Sequence, residues 1–504
     1  MRRVRQTVQL LALALFVGLV WHTTWPLTTP VPVSAFLRLD PLAALAVAIS
    51  PARSWQLLGL FWPALLLLSA TAVLGRFFCG WVCPLGTCVD MGDRLLGRWR
   101  RRRPASSGGL RWPKYALLLT TLAAALFGVP LLLFFDPLCL ATRTLGTAVH
   151  PTLGLGYNGL AFATEPLRSL VGWRLDPVPV HLFRLGLTSG LMFLTILGLG
   201  LVSRRYWCRN LCPLGALLGF AGAHGLWRRV TGEETCISCR RCAIECKMGA
   251  IPADAPCTTR QAECIQCYDC LDCCNSAATA VRLSTVSSGL DPEVRLGRRQ
   301  FLAATGVGAT YGLLTAAGII RRPHPDRLLR PPGTVVRDGS GALSRLMTES
   351  EFRARCLRCG QCLKACPTGG LQPCIVEAGL DGFYTPRLVP RVGWCEQNCN
   401  ACGSACPSGA LVPFTIEEKR RIQIGLAQIH RDRCLSWRTG GDYAQCTVCK
   451  EHCSYQAIGL VFDQGQLRPV VRRGRCTGCG ICENACPVRE PDSAIIVYSQ
   501  VSPR

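Results

Sequence analysis

An α-helical membrane bundle bearing small, cysteine-rich α+β modules is the architecture the sequence predicts. Three observations predict it: five apolar runs, 33 cysteines among 504 residues, and a four-cysteine pattern that recurs six times. The cysteine content is far too high for ordinary usage, and the chain is far too long for a small disulfide scaffold. Thiolate-bound metal is therefore the expected use of the cysteines. A mean hydropathy of +0.25 with 49% hydrophobic residues excludes a wholly soluble chain.

The apolar runs cover residues 8–25, 55–78, 115–135, 182–202 and 301–320, each long enough for a helix to cross a bilayer. Residues 41–50 and 153–173 are too short or too broken by Gly and Pro, and read as interfacial or re-entrant pieces. Orientation follows from the basic residues. Arg2, Arg3 and Arg5 precede the first run, Arg94 to Lys114 fill the loop after the second, and Arg204, Arg205 and Arg209 follow the fourth. The positive-inside rule then puts the N-terminus, the 79–114 loop and residues 203–300 inside. The fifth run opens with Arg298-Arg299-Gln-Phe-Leu, which reads either as a mid-chain twin-arginine export signal or as the basic flank of an ordinary helix. Both readings put the C-terminal third outside a prokaryotic inner membrane. The formal charge of +25 raises nucleic acid as a partner, but only five of the 56 basic residues are Lys and many Arg flank apolar runs. Six bound clusters would also lower the charge to roughly +13. Nucleic acid is not expected.

Cys236, Cys239, Cys242 and Cys246 follow the spacing CxxCxxCxxxC, as do Cys264, Cys267, Cys270 and Cys274. That is the spacing of two-cluster bacterial ferredoxins, where three close thiolates bind one 4Fe-4S cube and the fourth serves its neighbour. The predicted sets are Cys236, Cys239, Cys242 with Cys274, and Cys264, Cys267, Cys270 with Cys246. Lys247 and Asn275 replace the Pro that usually follows the fourth Cys. The device returns twice: Cys356, Cys359, Cys362, Cys366 pair with Cys395, Cys399, Cys402, Cys406, and Cys434, Cys446, Cys449, Cys453 pair with Cys476, Cys479, Cys482, Cys486. Between Cys434 and Cys446 a loop must fold back. Zinc and disulfides are the rival uses, but neither accounts for three thiolates so closely spaced. Six clusters of the 4Fe-4S type, in bacterial ferredoxin-like modules, are the expectation.

Two further motifs, Cys79-Gly-Trp-Val-Cys83-Pro-Leu-Gly and Cys208-Arg-Asn-Leu-Cys212-Pro-Leu-Gly, sit at the inner ends of the second and fourth runs. Their four thiols could close an additional metal or redox site, or simply mark turns. Cys88, Cys139, Cys257, Cys273 and Cys374 belong to no set and read as buried apolar filler. The predicted domains are 1–230 (membrane), 231–285 (inner two-cluster module), 286–325 (signal-like segment and fifth run), and 326–415 and 416–504 (outer two-cluster modules). No phosphate-binding or dinucleotide glycine pattern is present, and no His pairs within the apolar runs suit haem.

Residues 1–285 resemble the NapH-type membrane ferredoxin of quinol dehydrogenases that serve periplasmic nitrate reductase, on the paired CxxxCPLG motifs, four spans and inner module. Residues 291–498 resemble the exported NapG/MauM-type ferredoxin, on the Arg298–Leu302 signal, Arg330-Pro-Pro-Gly, Cys356-Leu-Arg-Cys-Gly-Gln-Cys and the late Cys434/Cys446 pair. The resemblance implies a fusion: an electron-transfer subunit of quinol dehydrogenase type, with the quinol pool as donor and an unidentified exocytoplasmic redox protein as acceptor. Copper-handling and nitrous-oxide-reductase accessory proteins are similar in their CxxxCP layout, which keeps metalloenzyme maturation or metal-ion reduction open. Asp136, Arg143 and His181 are the candidates to meet quinol, as a carboxylate and an imidazole near an interface can take up its protons; the alternatives are that Asp136-Pro137 simply caps and ends a helix with Asp136 paired to Arg143, or that quinol meets the chain on the inner side near Cys79 and Cys208.

Overall fold

A computed structural model of the chain describes all residues except 28–30, 52–58, 98–110, 172–173, 285–296, 318–326, 339–341, 439–445, 464 and 500–504. The described residues form two compact units. One comprises Met1–Val20, Val33–Leu145 and Thr188–Ala317; the other comprises Trp21–Pro32, Gly146–Leu187 and Gly318–Arg504. The five sequence-predicted domains are thus regrouped, with two interior loops folding with the C-terminal third. Much of the basic loop used for orientation falls among residues 98–110, outside the described residues.

Each predicted apolar run contains a helix, but most are shorter than the run. Arg2–Trp21 is the one helix among the described residues long and apolar enough to cross a membrane. Trp62–Leu74 stops where Gly75 turns left-handed (φ 77°) and donates its N–H to the Thr71 carbonyl. Trp112–Leu126 stops at Gly128 (φ 77°), and Pro130, with no N–H to give, starts the short 3-10 turn Leu131–Phe135. The third run is therefore a helix and a turn rather than one span. The fourth contracts to Gly186–Gly198 with a 3-10 end. The short run expected to be interfacial forms the helix Pro41–Ile49, whose Leu42, Ala43, Ala46 and Val47 are fully or almost fully buried.

The signal-like segment forms the helix Arg298–Ala316, packed along Trp112–Leu126. The contact needs small residues. A Cβ on Gly308 would lie 2.6 Å from the Thr120 carbonyl, one on Gly312 would lie 2.6 Å from the Phe127 ring, and Thr120 Oγ1 donates to the Ala304 carbonyl at 3.0 Å. Ala304, Gly308 and Gly312 are four apart, so they share one helix face. Gly308→Leu should cost about 1–3 kcal/mol in urea unfolding, the usual range for overpacking; an unchanged midpoint would refute this packing.

In the same unit the strands Trp227–Thr231 and Thr279–Leu283 pair antiparallel and frame the inner cysteine module, which therefore begins four residues before the predicted boundary. Among its described residues the second unit holds four such two-stranded ladders. Gly425–Ile429 pairs with the distant Ile495–Ser499, and the Cys395 N–H donates to the Cys479 carbonyl at 2.8 Å. The strand pairing lies within the predicted 416–504 module, and the Cys395–Cys479 bond joins that module to the 326–415 one. Arg330, at the head of the Arg-Pro-Pro-Gly motif, is buried against Glu349 and the Phe352 ring and donates to the Pro386 carbonyl.

Candidate iron–sulfur centres

Backbone conformation, more than side-chain packing, aims the cysteines. In four of the six sets the residues on either side of the second Cys are left-handed: Ser238 and Arg240, Gln266 and Tyr268, Arg358 and Gly360, Gly478 and Gly480. A left-handed residue on each side curls the loop so that thiols and N–H groups converge on one centre. Glycine adopts that backbone freely, whereas the five non-glycine residues store roughly 1–2 kcal/mol each. Backbone N–H groups then reach the fourth cysteines: Ala250 N to Cys246 Sγ at 3.2 Å, Leu411 N to Cys406 Sγ at 3.3 Å, and Ala457 N to Cys453 Sγ at 3.2 Å.

Among the described residues, four small cavities lie inside these loops. One is walled by Cys264, Cys267, Cys270 and Cys246. Another is walled by Cys356, Cys359, Cys362 and Cys406, and a third by Cys395, Cys399, Cys402 and Cys366. The fourth is walled by Cys434, Cys446, Cys449 and Cys486. Every one takes three cysteines from one motif and the fourth from its partner. The remaining cysteines group through their electrostatics: Cys479 and Cys482 feel Cys476 and Cys453, while Cys242 feels Cys236 and Cys239. The loop joining Cys434 to Cys446 includes residues 439–445, outside the described residues.

Burial first, and then neighbouring thiols, push these groups up: Cys359, Cys449 and Cys479 to about 12, and Cys264 to about 11. Unmetallated, they are neutral thiols, so metal binding must expel protons and weakens as pH falls. Spacing also bears on the metal. Four thiolates on one tetrahedral zinc would lie roughly 3.8 Å apart, given a Zn–S distance near 2.3 Å. Among the described residues the one acid or thiol trio drawn within 4.8 Å is Asp40, Asp136 and Cys139, which includes no member of the six sets.

The CxxxCP motifs adopt one local structure twice. A short helix, Phe77–Trp81 or Tyr206–Asn210, leads to a Cys that caps the next helix, Pro84–Leu96 or Pro213–Gly222. Cys83 Sγ accepts from Gly86 N at 3.4 Å, and Cys212 Sγ from Gly215 N at 3.2 Å. Burial first, and then the neighbouring Cys79 and Cys208, raise Cys83 and Cys212. The structure brings these four together.

Of the expected quinol residues, Asp136 and Arg143 lie in the first unit and His181 in the second. Asp136 is fully buried and caps the helix Pro137–Thr144, its Oδ2 accepting from Leu138 N and Cys139 N at 2.8 and 2.9 Å. Arg143 stacks on the Phe134 ring and donates to the Phe134 carbonyl. His181 belongs to the other unit, where its ring covers Gly369 (φ 64°) and it bonds to the Pro367 backbone beside Cys366. Sequence reasoning missed Asp40. It caps Pro41–Ile49 as Asp136 caps its own helix, and burial followed by repulsion from Asp136 raises its pKa. The repeated Asp-Pro-Leu of residues 40–42 and 136–138 was the available signal. Of the five cysteines expected to be filler, Cys139 and Cys374 are buried but polar in their contacts, Cys374 lying 3.7 Å from Arg330 Nη1. Cys257 interacts with Cys236.

Comparison with known proteins gives the same chemistry. A 4Fe-4S binding domain model matches residues 55–103 and 185–230, and a second matches residues 469–489. The chain is 32% identical over 219 residues to ferredoxin-type protein NapG of Escherichia coli, covering 40% of this chain and 87% of the relative. It is 32% identical over 197 residues to methylamine utilization ferredoxin-type protein MauM of Paracoccus denitrificans, covering 36% and 79%. It is 28% identical over 278 residues to the putative electron transport protein YccM of Escherichia coli, covering 53% and 69%. No solved structure matches.

Proposed function

The chain belongs to the family of NapG- and MauM-type ferredoxins, and on that premise we propose that it is a membrane-bound polyferredoxin relaying electrons from quinol, through six 4Fe-4S clusters, to an exocytoplasmic redox protein. The observation that carries this reading is the crossed walling of the four cavities, three cysteines from one motif and one from its partner. That exchange is the two-cluster ferredoxin arrangement, and it sets neighbouring centres side by side. Clusters bound there supply one-electron redox chemistry; the chain itself holds them, donates N–H groups to their sulfurs and limits water.

Membrane attachment is supported by the Arg2–Trp21 helix and by apolar side chains left exposed along other helices: Leu65, Leu66, Leu187, Leu194, Leu302 and Val307 all lie open. In water such faces are costly; in lipid they are at home. Quinol releases two protons with its two electrons, and the buried Asp40–Asp136 pair is a place to receive a proton, since two carboxylates so close do not both ionise readily. The test is quinol-driven reduction of the clusters in membranes, followed by absorbance and electron paramagnetic resonance. Quinol should reduce them in the native chain, and Asp136→Asn should lower that rate at least tenfold while dithionite reduces both forms equally. Clusters that dithionite reduces but quinol does not would exclude quinol as donor; an unchanged rate in Asp136→Asn would remove Asp136.

A further inference from the structure

We propose that quinol is bound and oxidised in the second unit, against Lys364, His150 and His181, and that its electrons enter the two outer centres whose cysteines flank Lys364 in the chain. The proposal rests on the relay reading above and gives its donor a site.

Lys364 lies between Cys362, which walls one outer cavity, and Cys366, which walls the next. It is only 7% exposed, and its ammonium has no ion-pair or hydrogen-bond partner among the described residues. A buried cation without an acceptor is costly, and beside redox centres it marks a place for a ligand oxygen. A Cβ on Gly146 would lie 3.4 Å from Lys364 Cβ, so the lysine stem rests on the chain four residues before His150. The His150 ring stands edge-on to Trp21, with centroids 4.8 Å apart. His181 covers Gly369, three residues past Cys366, its Nδ1 lying 2.7 Å from where a Cβ would stand. Lys364 acts on both imidazoles, and His181 acts on His150, so the three groups are neighbours. Buried hydrogen bonds hold the segments in place: Gln361 Nε2 donates to Thr23 Oγ1 at 2.8 Å, and Thr147 Oγ1 meets the Tyr384 hydroxyl at 3.1 Å. Next to His181, Gln372 Nε2 donates to the Leu182 carbonyl at 3.2 Å.

Each group has a task in quinol oxidation. Lys364 donates to one quinol oxygen and stabilises the anion left when that oxygen loses its proton. Burial first, and then Lys364 and His181, lower the His150 pKa to about 4; burial and Lys364 lower that of His181 against its Pro367 bond. Both rings are therefore neutral and able to accept a hydrogen bond. Proline has no N–H, so His181 donates to the Pro367 carbonyl, and its other ring nitrogen keeps a lone pair for a quinol hydroxyl. Trp21 beside His150, Leu153 three residues after it and Leu182 next to His181 are exposed, an apolar approach for the ring and tail of a lipid-soluble donor. Oxidation breaks the two O–H bonds and leaves quinone. One electron passes to each of the two outer centres, since a 4Fe-4S cluster carries one at a time. The two protons pass to the half-buried imidazoles and from there to water. The Asp40–Asp136 pair belongs to the first unit and is not part of this site.

The test uses the full chain purified anaerobically in detergent, with decylubiquinol as reductant and a fluorescent heptyl-hydroxyquinoline N-oxide as quinol analogue. Lys364→Met keeps the stem on Gly146, and His150→Phe keeps a ring beside Trp21. Lys364→Met should weaken binding of the analogue at least tenfold, read from the quenching of its fluorescence, and Lys364→Arg should recover part of the loss. His150→Phe, remote in sequence from every cluster cysteine, should slow reduction by decylubiquinol at least tenfold. Both variants should keep the native iron content and be reduced by dithionite as the native chain is, which separates a lost quinol site from a damaged cluster. Native binding and native rate in both variants would overturn the proposal and leave the quinol relay standing, as would a rate that falls in Asp136→Asn but not in His150→Phe. A native chain that dithionite reduces and decylubiquinol does not would instead remove quinol as the donor, and this site with it.

Discussion

Glu263→Gln is expected to destabilise the first unit by about 3–5 kcal/mol, the cost of leaving buried cations without their partner. Glu263 is fully buried and forms ion pairs with Arg76 and Lys114, both themselves buried. It directly precedes Cys264. Burial alone would raise its pKa; Lys114, Arg76 and Arg111 together more than offset this and hold the carboxyl below its ordinary value. A carboxylate so depressed contributes stability that is fully present above its unfolded pKa, near 4.3–4.5, and is lost as pH falls through that value towards the folded one. Urea unfolding should show a clear stability difference between the native chain and Glu263→Gln at pH 7, narrowing below about pH 4. Lys114→Met in the Glu263→Gln background should recover part of the loss, since one of the orphaned charges is removed. Equal stability of native and Glu263→Gln chains at pH 7 would refute the account.

Gly478→Ala should cost the second unit one cluster, seen as about four iron atoms fewer per chain. Gly478 lies between Cys476 and Cys479 with φ 78°, and a Cβ there would stand 2.4 Å from Gly425 N. The left-handed backbone alone costs an alanine roughly 1–2 kcal/mol. The larger effect is steric, because the obstructing atom is backbone in the strand Gly425–Ile429, which cannot rotate away as a side chain would. That strand is pinned to Ile495–Ser499, so the cysteine loop must move instead. Gly465→Ala is the control: its φ is 77° and a Cβ would meet nothing within 4 Å. Iron content should survive there. If Gly478→Ala keeps its full iron, the loop is not held as described.

The chemistry was legible because cluster ligation is local. Three thiols spaced CxxCxxC are brought to one corner by a single turn of backbone, so spacing by itself excludes most alternatives. Even the left-handed positions are partly written in the chain, as Gly360, Gly478 and Gly480; at Ser238, Arg240, Gln266, Tyr268 and Arg358 the same backbone carries no such mark. The helix ends were harder. Hydropathy counted residues 115–135 as one run, because it does not weigh the left-handed Gly128 or the missing N–H of Pro130. Asp40 escaped notice because its meeting with Asp136 joins residues 96 positions apart, which no local pattern marks.

What the sequence by itself determined is therefore the set of thiols, their division into motifs, the family resemblance and the kind of metal they suit. Each depends on residues within about a dozen positions of one another. Only the tertiary structure decided which fourth cysteine closes which outer cavity, that the two outer modules are joined through Cys395 and Cys479, that the Arg298–Ala316 helix is seated on Trp112–Leu126 by Gly308 and Gly312, and that Arg205 reaches the Cys79 carbonyl. Those contacts join segments dozens to hundreds of residues apart. They are selected by shape and by the need to satisfy buried charge, both of which act across space and leave no period in the chain.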